Sequence, residues 1–100
     1  MHKGAKGMVH PVRLNLSLIL TNERKFEEAI KQSTRVIFKE EENVRVYAKA
    51  YFRRAQTYFA WERFEEAREN IERALQYSND KALFKLLDKI KIGLKEAQKV

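Results

Sequence analysis

The stretch Ala48–Ala74 constrains the fold more than any other part of the chain. Two apolar stripes at helical spacing lie either side of a short break. Tyr51, Ala55, Tyr58 and Phe59 fall at i, i+4, i+7 and i+8, and Phe64, Ala67, Ile71, Ala74 and Leu75 repeat the rhythm. Such spacing specifies two amphipathic helices, and so short a break makes them antiparallel neighbours. The break, Ala60–Arg63, holds neither Gly nor Pro. The turn is therefore expected to be tight and shaped by packing. Ala55, Ala67 and Ala74 are small enough to let the two helices approach closely.

The same design occurs earlier in the chain at an offset of 38 residues. Phe26 falls on Phe64, Ala29 on Ala67, Ser33 on Ile71 and Val36 on Ala74. Upstream, Ser17 falls on Ala55, Leu20 on Tyr58 and Asn15 on Arg53. This pattern resembles two consecutive tetratricopeptide repeats over residues 11–79, a family with a period of about 34 residues and a small-residue, aromatic and Ala signature. The surplus of four residues fits an enlarged inter-repeat loop at Glu40–Arg45. The expectation is an all-α chain of about five helices: repeats at 11–43 and 44–79, then a capping helix over 80–98.

Composition narrows the class. One hundred residues allow one domain, and 44% hydrophobic content with 11 aromatics is enough for a core. A single Pro and three Gly argue against a many-stranded β fold. With no Cys, thiol chemistry, disulfides and thiolate zinc sites are excluded. His2 and His10 are the only histidines and stand apart from any acidic cluster at ligand spacing, so no metal is expected. No cofactor is expected either. Ser17, Ser33 and Ser78 fit packing positions and caps, no phosphate-binding Gly loop is present, and nothing suggests an enzyme. The start, MHKGAKGMVHPV, lacks the apolar core of a signal peptide, and no run suits a bilayer span. A soluble, cytoplasmic chain is expected, with no membrane partner. The net charge of +7 favours an acidic partner.

Taken in order, residues 1–10 are expected to be a poorly ordered linker remnant. In the repeat frame Met1 lies near the end of a preceding repeat's second helix, with Gly4 and Gly7 in the connecting loop. The chain thus reads as a piece of a longer array. Pro11 suits a first helical turn, opening a helix to Thr21. Leu16, Ile19 and Leu20 are expected to be its seam. Asn22 is a candidate cap for a helix over Glu23–Lys39 with Phe26, Ala29, Ile30, Val36 and Ile37 inside. The acidic run Glu40–Asn43 suits the N-terminus of a helix over Val44–Trp61. A fourth helix is expected over Phe64–Tyr77, with Glu69 and Arg73 placed for an i,i+4 ion pair. Asn79 or Asp80 can cap a last helix running to Ala97. That helix carries Ala82, Leu83, Leu86, Leu87, Ile90 and Leu94 on one face and lysines on the other. It resembles the solvating helix that closes repeat arrays. A basic amphipathic helix also suits a membrane surface or calmodulin, but covering the last repeat is the preferred role.

In repeats of this kind the first helix of each pair lines a concave face. Candidate groove residues are Asn15, Leu18, Ile19 and Asn22, then Lys49, Phe52, Arg53 and Gln56. Lys49 and Arg53 are four apart and share a helix face, and with Asn15 they make a cluster of donors suited to a carboxylate. Asn15 in LNLS and Lys49 and Arg53 in KAYFRRA resemble members of the dicarboxylate clamp of co-chaperones and large immunophilins of the FK506-binding and cyclophilin types. The aryl-hydrocarbon-receptor-interacting subgroup is similar too. The resemblance implies recognition of the Glu-Glu-Val-Asp tail of the ninety- and seventy-kilodalton heat-shock chaperones. Asn15 would meet the terminal carboxylate, Lys49 and Arg53 the acidic side chains and backbone, and Ile19, Phe52 and Gln56 would add groove contacts. The family's clamp also takes a Lys and an Asn from an earlier repeat that these 100 residues do not supply. Two missing charged hydrogen bonds weaken binding by about 3–6 kcal/mol. The competing readings are self-association, with a symmetric dimer expected, and nucleic-acid binding driven by charge. The latter is disfavoured because Tyr51 and Tyr58 are needed in the seam, leaving only Tyr47 and Phe52 for stacking on bases.

Overall fold

The computed structural model describes residues 3–39 and 43–98. Five helices follow one another: α1 (Lys3–Asn22), α2 (Phe26–Lys39), α3 (Val44–Ala60), α4 (Phe64–Leu75) and α5 (Lys81–Ala97). There is no strand among the described residues. α1 pairs with α2 and α3 with α4, while α3 touches every other helix and so forms the centre of an all-α repeat architecture. The first helix starts earlier than expected. Pro11 lies inside α1 and residues 3–10 belong to the helix, not to a linker. A proline removes one hydrogen bond, to the carbonyl four residues back, and bends the helix there without dissolving the turns on either side. Met1 and His2 lie outside the described residues, as do Glu40, Glu41 and Glu42 of the acidic run.

The hairpin turns repeat bond for bond at the offset of 38. Arg24 and Glu62 both adopt the left-handed conformation, at φ 64° and 61°. Lys25 N donates to Leu20 O and Arg63 N to Tyr58 O, each at 2.8 Å. Arg24 N donates to Thr21 O and Glu62 N to Phe59 O, each at 3.0 Å. This is the double bond pattern that closes a helix around a left-handed residue, satisfying carbonyls that would otherwise be orphaned. The left-handed residue also explains why α2 starts at Phe26, not at Glu23, and why Asn22 ends α1 instead of capping α2. At the next junction Asn43 is the cap: its side chain accepts from Arg45 N at 3.1 Å and Val46 N at 3.3 Å. Val44 and Arg45 are thus in α3, and part of the four-residue surplus extends that helix instead of enlarging the loop.

Packing follows the repeat frame. Ser17, Ala29, Ser33 and Val36 are fully buried, and so are their counterparts Ala55, Ala67, Ile71 and Ala74. The contact at Ser17 is close enough for its hydroxyl to donate to Ala29 O at 3.0 Å, from one helix to the backbone of its partner. Two apolar clusters lie against α3. Leu14, Val36, Ile37 and Ala50 form one, and Ala55, Ala67, Ile71, Ala74, Leu83, Leu86 and Ile90 form the other, with Tyr51 packed against both. The seam of α1 therefore differs from the expected one. Leu14 is buried together with Ser17 and Thr21, while Leu16 and Ile19 are exposed. Two neighbours, α2 and α3, compete for this helix, and both pack on its Leu14–Ser17–Thr21 stripe. Thr21 Oγ1 lies 2.7 Å from Thr57 Oγ1 of α3. With one proton each, one hydroxyl donates across the pair and the other to a carbonyl four residues back in its own helix.

The last helix is capped by Asp80, whose carboxylate accepts from Ala82 N at 2.9 Å. It buries Leu83, Leu86 and Ile90 against α4 and α3, and leaves Ala82, Phe84 and Ile92 exposed. Gly93 sits against the Phe64 ring: a Cβ there would fall 2.6 Å from a ring carbon. Glycine thus sets how closely α5 lies on the start of α4. The expected Glu69–Arg73 ion pair is not formed; the Arg73 guanidinium lies 6.0 Å from the Tyr51 ring.

Arg54 joins three helices. Its Nε donates to Asn70 Oδ1 of α4 at 2.6 Å and its Nη1 to Thr34 Oγ1 of α2 at 3.1 Å, over the Tyr51 ring. Burial pushes its pKa down. Two predictions arise from this architecture. Glu62→Gly relieves the left-handed strain, worth about 1–2 kcal/mol, at an entropic cost of about 0.5–1 kcal/mol. A net gain of about 0.5–1 kcal/mol is expected in urea denaturation, and an unchanged or lower midpoint would show that the turn carries no strain. Arg54→Met keeps the apolar stem but leaves Asn70 Oδ1 and the Thr34 hydroxyl without their donor. A loss of about 1–3 kcal/mol is expected by the same measurement.

Candidate functional site

The third stripe of α3 is polar. Two of its faces are taken by the apolar clusters, and the residues left over recur at Arg45, Lys49, Arg53 and Gln56, spaced four, four and three apart. Helical geometry stacks them along one side. Beside this stripe lies a hollow of about 550 Å³. Arg45, Ala48, Lys49, Phe52 and Arg53 of α3 form one wall, the turn Tyr77–Asp80 a second, and Ala82 and Leu83 of α5 a third.

Arg53 is the most constrained of the polar groups. Its Nη1 donates to Gln56 Oε1 at 2.9 Å, and its guanidinium carbon is 5.9 Å from the Phe52 ring centroid. The Nε–H is buried and has no hydrogen-bond partner among the described residues. Loss of hydration lowers the guanidinium's pKa. It remains a cation at neutral pH because an arginine starts so far above it. Lys49 is exposed, one turn away. No ion pair engages Arg45, Lys49 or Arg53 among the described residues. The cationic wall therefore keeps its charge available to an incoming carboxylate.

Of the residues singled out in the sequence, Lys49, Phe52 and Arg53 meet in this hollow and Gln56 is tied to Arg53. Asn15 and Ile19 are exposed on α1 but do not line it. The hollow lies toward α5, whereas α1 packs against α3 through Leu14 and Thr21. The other lining residues were not foreseen as site residues, among them Arg45, Tyr77 and Asp80. Arg45 could have been, since it precedes Lys49 by four. Tyr77 and Asp80 could not, since only the path of the α4–α5 turn brings them to α3. Asp80, from the α4–α5 turn, adds a carboxylate to the lining. The Tyr47 ring stacks on Tyr77 at 5.7 Å, and so is engaged within the protein.

Trp61 caps α3 and stacks on Phe26 of α2 at 5.4 Å and near Tyr58 at 6.3 Å, with the Arg63 guanidinium 4.5 Å from its ring. It ties together the turn ends of the two hairpins, as a packing residue would. No helix among the described residues is long and apolar enough to cross a membrane.

Comparison with known proteins matches one part of the chain. No curated protein and no solved structure matches it significantly. Residues 48–81, which run from the second turn of α3 through α4 to the start of α5, match the family described as Tetratricopeptide repeat, and this stretch is a tetratricopeptide repeat.

Proposed function

We propose that this protein is a protein–protein interaction module that takes the acidic C-terminal segment of a partner into the hollow beside α3. Lys49 and Arg53 hold the carboxylates, Phe52 packs on the intervening side chain, and Gln56 keeps the Arg53 guanidinium in place. Asn15 and Ile19 contact the peptide where it continues across α1. The partner implied by the resemblance to clamp-type co-chaperones is the Glu-Glu-Val-Asp tail of the ninety- or seventy-kilodalton chaperones. The observation that carries the reading is the pair Lys49 and Arg53: two cations one turn apart on the wall of the hollow, neither with a counter-ion among the described residues. A charge-assisted hydrogen bond from either cation to a carboxylate contributes about 1.5–3 kcal/mol.

The test is an NMR titration of the 100-residue chain with an acetylated pentapeptide ending in Glu-Glu-Val-Asp. Weak, saturable shifts centred on Lys49, Phe52 and Arg53 are expected. Lys49→Ala, at an exposed position, should reduce affinity by roughly tenfold or more, the equivalent of about 1.5–3 kcal/mol for a charged hydrogen bond, with the thermal melt unchanged. Equal binding by Lys49→Ala would refute the assignment.

A second reading, self-association, rests on a different surface. Val12, Leu16 and Ile19 are 62%, 38% and 52% exposed and fall at i, i+4 and i+7, an apolar stripe on the outer side of α1. Two repeats and a cap are fewer than the three repeats that usually stabilise such arrays. A second copy packed on this stripe would bury it. Sedimentation equilibrium is expected to give a dimer that Leu16→Glu returns to monomer; a wild-type monomer at the highest concentrations would eliminate this reading.

A further inference from the structure

The hollow beside α3 has walls of both signs. Arg45, Lys49 and Arg53 stand on one side, and Asp80 belongs to the turn that closes the other. Asp80 is exposed, and its carboxylate accepts one backbone N–H, that of Ala82 at the start of α5. That bond uses one of the several lone-pair sites of a carboxylate. No ion pair joins Asp80 to the three cations among the described residues, so the two signs are separated across the cavity instead of neutralising each other. The apolar Phe52 and Leu83 also line the hollow.

We infer that Asp80 tunes affinity within this site: acidic tails still bind through Lys49 and Arg53, but Asp80 weakens their hold relative to a peptide that ends in a carboxylate and carries a cationic side chain close to it. The inference rests on the proposed carboxylate role of Lys49 and Arg53 and adds the identity of the opposite wall. A tail lying along the α3 cations brings its side chains within one Debye length, about 8 Å at physiological salt, of anything across so small a hollow. At that range a like charge repels and an opposite charge attracts with enough energy to change affinity several-fold. The apolar lining residues Phe52 and Leu83 suit the methylene stem of a Lys or Arg whose head reaches Asp80.

The experiment compares two acetylated pentapeptides by NMR titration of the whole chain: one ending Glu-Glu-Val-Asp, and the same peptide with its second Glu replaced by Lys. Each is measured against the wild type, Asp80→Asn and Asp80→Ser. Both substitutions keep a residue that caps helices well, so α5 retains its first turn while the charge is lost; equal thermal melts verify this. The quantity read is the change, from wild type to variant, in the ratio of the two dissociation constants; the general attraction of a +7 chain for the more acidic peptide enters both ratios nearly equally. Removing the Asp80 charge should move that ratio about three- to tenfold toward the all-acidic peptide, and raised salt should shrink the change. If both peptides bind the wild type and the ratio stays within twofold in both variants, Asp80 has no selective role, while the carboxylate role of Lys49 and Arg53 stands. If neither peptide binds the wild type at millimolar concentration, the carboxylate site itself is wrong and this inference goes with it.

Discussion

Close approach of paired helices at small residues is the constraint on which everything else in this protein depends. Ser17 against Ala29 and Ala55 against Ala67 are fully buried, and the Ser17 hydroxyl reaches its partner's backbone directly. A side chain even a few methylenes larger at any of these positions would separate the hairpin and lose the tight dispersion contacts of its seam. The left-handed turn residues serve the same geometry. Arg24 and Glu62 reverse the chain within three residues, so the second helix starts already in contact with the first. Both accept a conformation unfavourable for a residue with a Cβ, which shows how strongly the pairing of the flanking helices determines the turn.

With two tight hairpins in place, α3 is surrounded. One side meets α1 and α2, another meets α4 and α5, and only one stripe remains for solvent. Helical rotation then gives neighbouring residues unlike tasks. Arg53 and Arg54 are adjacent in sequence but about 100° apart around the axis. Arg54 turns inward, where Asn70 and Thr34 accept its donors across three helices. Arg53 faces the hollow, steadied by Gln56 and by the Phe52 ring, and keeps a buried donor unsatisfied. One guanidinium ties the two hairpins together, and the other lines the hollow with its charge unpaired among the described residues.

The closing helix both covers the core and shapes the hollow. Leu83, Leu86 and Ile90 cover the apolar face that α4 and α3 would otherwise expose. The same helix start supplies Leu83 to the wall of the hollow, and its cap, Asp80, supplies the only carboxylate lining it among the described residues. The shape and charge of the site are therefore tied to how closely α5 lies on α4. Gly93 governs that distance from the far end of the helix, by making room for the Phe64 ring.

Much of this was legible in the residues themselves. The 3.6-residue rhythm, the offset of 38 and the small residues at its fixed points specified five helices and two hairpins. The spacing of Lys49, Arg53 and Gln56 placed them on one stripe, because helical periodicity is a local property. Other features needed the folded chain. α1 is apolar on several sides, so its own pattern could not say whether Leu14 or Leu16 and Ile19 would be buried; the positions of α2 and α3 decided for Leu14. Nor could an Arg or a Glu be recognised as a left-handed turn residue where glycine is the usual signal. Asp80 reads in sequence as a helix cap and nothing more, since 27 positions separate it from Arg53. Local order followed from periodicity and side-chain size, which each segment carries alone. Which stripes were buried, and which charges came to face one another across the hollow, was decided by tertiary packing, because those contacts exist only once distant helices compete for the same surface.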